Sequence, residues 1–415
     1  MINIKHPNDL MRSRRFVLEA QGLLQANAFG CGLSGARNAI EHLGYIQIDT
    51  ISVVERAHNH VLFSRVPSFK PNMINQLLVA GDVFEYWSHA AAFLPISDFR
   101  FSLPFKEAIK SGAHPWFKNK DKTLMNELLA KIRLEGPLRS RDLEKNTKKG
   151  RELETSKTKT TGWWDWKPAK KALDQLYMEG ELMVNNREGF QKTYDITERV
   201  LPSHVDTSMP SAEEYAEHLI RQQLRCHGLV SLKGITYLRR NAELRKAVKA
   251  VVSDRVLSGS LEQVKVSDTD VFFAEAGMLD SKAPRLNKKM HILSPFDNSV
   301  IQRERLKTLF QFDYQIECYL PEAKRKYGYF SLPLLYRAEF VGRMDSKAHR
   351  KTGHLEIKSL YFEAHHFEYD ELISAFVTAI NEFCQFQQCR TVSVVDVHPK
   401  GLLQDIRIQL TGLPV

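Results

Sequence analysis

Between Asp121 and Pro202 the apolar positions change period in an order that leaves few folds open. Leu124, Leu128, Leu129 and Ile132 recur at helical spacing and run into Glu135-Gly136-Pro137. A second short helix is expected at Arg141-Asp142-Leu143, with Ser140 as its N-cap. A third begins near Asp165 and tolerates Pro168 in its first turn, where a missing N–H does no harm. Its apolar side carries Trp166, Ala169, Leu173, Leu176 and Tyr177; its other side carries Lys167, Lys170, Lys171 and Asp174, and Gly180 ends it. Two strands follow, Glu181–Val184 and Thr193–Ile196, around Asn185-Asn186-Arg187-Glu188-Gly189. Helix, helix, helix, hairpin is the order of a winged helix-turn-helix, here with a basic outer face on the third helix.

The same order recurs, more weakly, on both sides. Residues 8–66 hold a helix to about Leu24, then a helix capped by Ser34 with Ala36, Ala39, Ile40 and Leu43 inward, then Gly44 and a strand from Tyr45. Residues 211–276 hold helices at Ala212–Cys226, Ser231–Leu238 and Ala242–Val252, then alternating strands Leu261–Val266 and Val271–Ala274. From Lys289 the pattern turns strand-rich, at Met290–Leu293, Tyr314–Tyr319, Gly328–Leu332, Glu339–Met344, Leu355–Phe362 and Val392–Val397. One helix, with Leu372, Ile373, Phe376, Ile380 and Phe383 inward, precedes the last of these strands. The expected fold is therefore α+β: three tandem winged helix-turn-helix units plus a C-terminal β-rich, barrel-like domain. The expected boundaries are 1–115, 116–205, 206–285 and 286–415. The lysine-rich segment from Lys145 to Gly162 reads as a mobile loop whose charges are solvated.

Charge narrows the partners. A net charge of +10 over 415 residues predicts a basic face suited to nucleic acid or an anionic surface. No apolar run reaches the roughly eighteen residues of a membrane span, and the polar start (Asn3, Lys5, His6, Asn8, Asp9) predicts no secretory leader. Five scattered cysteines without a CxxC pair predict reduced thiols in a cytoplasm rather than disulfides or zinc. No GxGxxG, Walker A, HExxH or GxSxG motif is present, so no nucleotide-, zinc- or serine-dependent chemistry is expected.

Several segments offer chemistry. Alternation along Tyr45-Ile46-Gln47-Ile48-Asp49-Thr50 puts Gln47 and Asp49 on one face, an amide and a carboxylate able to hold one water between them. From the spacing alone a solvated polar strand face is the better account, because two residues this close are too short a signature to be specific. Arg56, His58, Asn59 and Arg65 supply cations and amides for phosphate contacts, although single histidines are more often packed. Trp87 and His89 stand in the cluster Glu85-Tyr86-Trp87-Ser88-His89, and Trp164 stands beside Trp163 and Trp166. Core packing accounts for part of each cluster; an exposed ring could stack on a base. Arg343, Lys347, His349 and Arg350 alternate along a strand and turn that fits a solvated hairpin and a DNA probe equally well. With Lys167, Lys170 and Lys171 these complete the candidate DNA contacts.

Taken in order, IQIDTISVVERAHNHVLFSR, EYWSHAAAFLP, GWWDWKP, LSPFDN, KRKYGYFSLPLLY and VGRMDSKAHR resemble the YcaQ/AlkZ-type crosslink-repair DNA glycosylases over nearly the whole chain. The resemblance implies three winged helices with a β-rich domain, and a catalytic QΦQ or QΦD motif at Gln47 and Asp49, on the QΦD branch. It also implies removal of N7-alkylguanines, interstrand crosslinks included. The family often has Glu after the histidine of the EYWxH cluster; Ala90 stands here, and the lysine-rich loop is longer.

Such chemistry needs little apparatus. An N7-alkylated guanine is cationic and leaves without protonation, so a carboxylate that stabilises the sugar cation and takes a proton from water suffices. A base tethered to the opposite strand cannot swing freely into a deep pocket, so an open surface suits it. The expectations are a monofunctional glycosylase without lyase activity, with no cofactor and no metal. It would be cytoplasmic and nucleoid-associated, monomeric, and act on double-stranded DNA with alkylated or crosslinked guanine, with no membrane partner. The competing reading is a non-catalytic winged-helix transcriptional regulator, which would dimerise and read a palindrome.

Overall fold

The computed structural model describes residues 2–117, 120–143 and 166–411. The lysine-rich segment 145–162 and Trp163 and Trp164 lie outside them, as does the Lys167 side chain. The fold is a mixed α+β arrangement of helices and small sheets. The chain divides into two compact units, Met1–Lys70 with Ala212–Val415, and Pro71–Ser211.

In the first unit, the helix Pro7–Ala20 is followed by the helix Gly32–Leu43, which starts two residues before the expected cap at Ser34. Ala36, Ala39, Ile40 and Leu43 are fully buried along one face, as their spacing requires. Later come the helices Ala212–His227, Leu232–Ile235 and Ala242–Leu257. Ser231 and Asn241 cap the second and third of these through Gly234 N and Leu244 N. The hairpin Leu261–Lys265 with Val271–Glu275 follows, and Ile2–Asn3 adds to it as a parallel third strand.

The C-terminal part of this unit is one five-stranded sheet. Its strand order is Met290–Ile292, Ser331–Tyr336, Glu339–His349, His354–Phe362, Thr391–His398. The first three steps are antiparallel and the last is parallel, so the chain crosses over through the helix Tyr369–Gln387. The sheet is open, which corrects the barrel-like expectation. Its apolar face is buried by Leu372, Ile373, Phe376, Ile380 and Phe383 of that helix, so no strand is needed to close it. Residues 314–319 are not a strand either; they run outside the ladder and carry a turn at 318–319. Val54 and Ala57 belong to this same core, which roots the N-terminal segment in the C-terminal sheet.

The second unit contains the helix Lys122–Glu135, capped by Asp121, helical residues at 140–143, and the helix Trp166–Glu179, ended by Gly180. The hairpin Leu182–Glu188 with Gln191–Ile196 follows; it is longer than expected because Asn186 to Glu188 pair with Gln191 to Thr193. Another hairpin, Val83–Trp87 with Ala91–Pro95, carries Glu85. Glu85 is buried and takes two bonds from Arg187 (2.8 and 2.9 Å) and one ion pair from Lys192 (2.9 Å). Burial pushes its carboxyl up, but the two cations outweigh it and hold the value below the ordinary range. Tyr86 donates to Met178 O, and Tyr177 donates back to Glu85 O. Most of the aromatic–polar cluster at 85–89 is thus a fastening within this unit.

One buried pair ties the first unit together. Arg65 donates to both Asp297 oxygens (2.7 and 2.8 Å), to Gln21 O and Oε1, and to Val61 O, with both charged side chains fully sheltered. Asp297→Ala should lower the unfolding free energy by about 3–5 kcal/mol, because it strands a buried guanidinium. Replacing Arg65 by Met in the same background should recover part of that loss. Urea unfolding of the wild type, the single variant and the double variant checks both expectations.

Candidate active site

The helix Gly32–Leu43 ends at Gly44 in the left-handed conformation (φ 78°). A Cβ there would sit 2.4 Å from the Gln222 side chain, whose Nε2 donates to Gly44 O. Tyr45, Ile46, Gln47 and Ile48 are all buried, and Asn298 Nδ2 donates to Tyr45 O at 3.1 Å. The strand itself is only Ile46–Gln47. Asp49 lies beyond it and turns its Oδ1 back onto Ile51 N (2.7 Å), an Asx turn that ends the strand. The simple alternation expected over Tyr45–Thr50 is therefore replaced by a wholly buried approach and a half-buried carboxylate.

Burial raises the Asp49 carboxyl above its ordinary value, and the single bond from Ile51 N–H only partly offsets this. Its charge contributes to raising the Cys318 thiol and the Tyr319 phenol, after their own burial. The next residues are held from the C-terminal sheet. Arg350 donates to Ser52 O and Val54 O (2.8 and 2.9 Å), and Ala348 N donates to Val53 O (2.8 Å). A carboxylate screened from water in this way acts more strongly on a nearby cation than it would in bulk solvent.

The other candidate residues separate clearly. Arg65 and Arg343 are not surface cations, which corrects their reading as DNA contacts. Arg65 is held by Asp297, and Arg343 is buried against Glu363 with its guanidinium 3.9 Å from the Tyr327 ring centroid. His58 and Asn59 are buried in the helix Ala57–Phe63, Asn59 bonding Glu55 Oε1. Arg56 is half-buried at the N-cap of that helix. Lys347 is exposed; His349 is half-buried and meets Glu356 at 3.0 Å. In the second unit, Lys170 and Lys171 are exposed, His89 is half-buried, and Trp87 is half-buried with its ring edge-on to Trp116. Sequence reasoning gave no role to Asp297 and Asn298, although the LSPFDN motif marks them. Among the described residues no three His, Cys, Asp or Glu side chains are grouped to hold a metal ion, and no helix is long and apolar enough to cross a membrane.

The sequence profile of the family described as DNA glycosylase AlkZ-like matches residues 40–386. The chain belongs to the AlkZ-like DNA glycosylase family. Its fold is similar to that of the Streptomyces sahachiroi DNA glycosylase AlkZ, with a TM-score of 0.59 at 14% identity, covering 94% of this chain and 100% of that one. The matched span of this AlkZ-like glycosylase includes Gln47, Asp49, the Asp297-Asn298 pair and the hairpin that grips residues 52–54.

The raised Asp49 value carries a stability signature. A carboxyl whose folded value lies above the ordinary 3.8 contributes stability that is full below 3.8 and is lost as pH rises through the folded value. Asp49→Asn keeps an acceptor for Ile51 N–H and removes the ionised form. Its melting temperature at pH 7 should equal or exceed that of the wild type, with the advantage fading towards pH 4. Thermal melts at both pH values check this.

Proposed function

We propose that this glycosylase hydrolyses the N-glycosidic bond of N7-alkylguanine in double-stranded DNA, interstrand crosslinks included, with water aligned by Gln47 and activated by Asp49. The observation that carries the reading is the half-buried Asp49 carboxylate, raised above its ordinary range and anchored by the Ile51 N–H, two residues after the buried Gln47. In the reaction, the C1′–N9 bond breaks and its electron pair neutralises the cationic base. Asp49 stabilises the cationic sugar that forms, water oxygen bonds to C1′, and Asp49 accepts the water's proton. No amine takes part, so the enzyme is monofunctional and leaves an abasic site without cutting the strand.

The helix, helix, helix, hairpin runs of both units support a reading as tandem winged-helix modules that lie on duplex DNA as a monomer. Lys170, Lys171 and Lys347 are exposed cations for its phosphates. The protein works in the cytoplasm, at the nucleoid, without a cofactor.

Asp49→Asn should lower single-turnover excision of N7-methylguanine by about 10²–10³-fold, equivalent to about 2.7–4 kcal/mol. Affinity for undamaged duplex should stay unchanged. Near-wild-type excision would remove Asp49 from the mechanism. On matched duplexes the enzyme should release N7-alkylguanine, tethered or free, and leave uracil and hypoxanthine in place, because neither leaves readily without a general acid. Efficient uracil release would show that an acid is present.

A further inference from the structure

The segment from Ile316 to Phe330 belongs to no helix longer than one turn and to no strand, yet it is held rigidly from beneath. Glu317 is buried and accepts from three consecutive backbone N–H groups, Lys326 (3.0 Å), Tyr327 (2.7 Å) and Gly328 (3.1 Å). Asp345, on the central strand Glu339–His349, accepts from the next two, Tyr329 and Phe330, both at 3.0 Å. Gly328 sits at φ 122°, and a Cβ there would come within 2.3 Å of the Asp345 carboxylate, so only glycine lets the loop descend this close. The Arg343 guanidinium underpins the Tyr327 ring, and Ile316 and Tyr329 pack on the core that also holds Ile51 and Val53.

This scaffold presents an aromatic ring to solvent. Tyr319 is 75% exposed, on the turn that feels the Asp49 charge, and Lys324 and Lys326 are exposed on the same loop. Asp345, which holds the end of this loop, stands three residues before Ala348, which holds Val53, so one strand end anchors both the loop and the segment that follows Asp49, and the loop leaves the Tyr319 ring uncovered. We propose that Tyr319 stacks on the alkylated base and selects it by charge: the electron-rich face of a phenol ring attracts a cationic N7-alkylpurine more strongly than neutral guanine. Lys324 and Lys326 would meet the flanking phosphates. This rests on the proposed substrate class and deepens it by naming the residue that recognises the positive charge.

The test uses the full chain and two matched duplexes. One is undamaged; the other carries N7-methyl-2′-fluoroarabinoguanine, whose electron-withdrawing fluorine opposes formation of the sugar cation and so blocks excision. Wild type should prefer the damaged duplex. Tyr319→Ala should lose about tenfold of that preference, while Tyr319→Phe keeps it, and both should bind undamaged duplex within twofold of wild type. Because the side chain is exposed, neither variant should shift the melting temperature. Retention of the preference by Tyr319→Ala, equal weakening on both duplexes, or no preference in the wild type would each overturn the proposal. Excision by wild type of the unfluorinated N7-methylguanine duplex is read in parallel. Its absence would sink the proposed reaction, and the binding arms would still decide Tyr319.

Discussion

A guanidinium shut away from water must place all of its N–H groups on protein oxygens, and Arg65 does so by drawing distant segments to one point. Its bonds go to the end of the first helix through Gln21, to the helix that precedes it through Val61, and to the 297–299 turn through Asp297. Gln21 continues the chain of bonds to Cys226 O, and Ser299 gives Asp297 a further N–H and O–H. Burial alone would push the Asp297 carboxyl up; Arg65 and Ser299 together hold it below the ordinary range. The next residue, Asn298, holds Tyr45 O, so the knot that joins these segments also fixes the approach to Gln47.

The carboxylates of the molecule show how stability and chemistry part company. Glu85 has two cations, Asp297 has an arginine and a serine, Glu317 has three backbone N–H groups, and Asp345 has two. Each is compensated where it is buried, as the desolvation of an ion requires. Asp49 is the contrast: half-buried, given one N–H among the described residues, and left with a raised value. In the proposed reaction such a charge would keep its field for a transient cation, whereas a carboxylate fully neutralised by the protein would have little left for the substrate.

The arginines divide in the same manner. In the strand Glu339–His349 and its turn, Arg343 points into a cage of Tyr327 and Phe312 with Glu363, while Arg350, seven residues on, clamps the carbonyls of Ser52 and Val54. Read as a run of basic residues, both are surface cations; in the structure Arg343 is buried and Arg350 stays exposed. Between them they join the candidate-site segment and the 316–330 loop to one sheet.

The sequence by itself determined what depends on near neighbours. Helical spacing at Ala36, Ala39, Ile40 and Leu43, the stops at Gly44 and Gly180 and the alternation of the hairpins all follow from residues within a turn or two of one another. They were legible for that reason. The motifs also pointed to the family. What only the tertiary structure decided is which polar groups are buried, because burial is set by partners far along the chain: Asp297 lies 232 residues from Arg65, and Gln222 lies 178 residues from Gly44. The open sheet was undecidable for the same reason, since a helix and a closing strand bury an apolar face equally well in a one-dimensional pattern. The short strand at Ile46–Gln47 escaped because the Asp49 side chain competes for a backbone N–H that alternation alone would give to a longer strand.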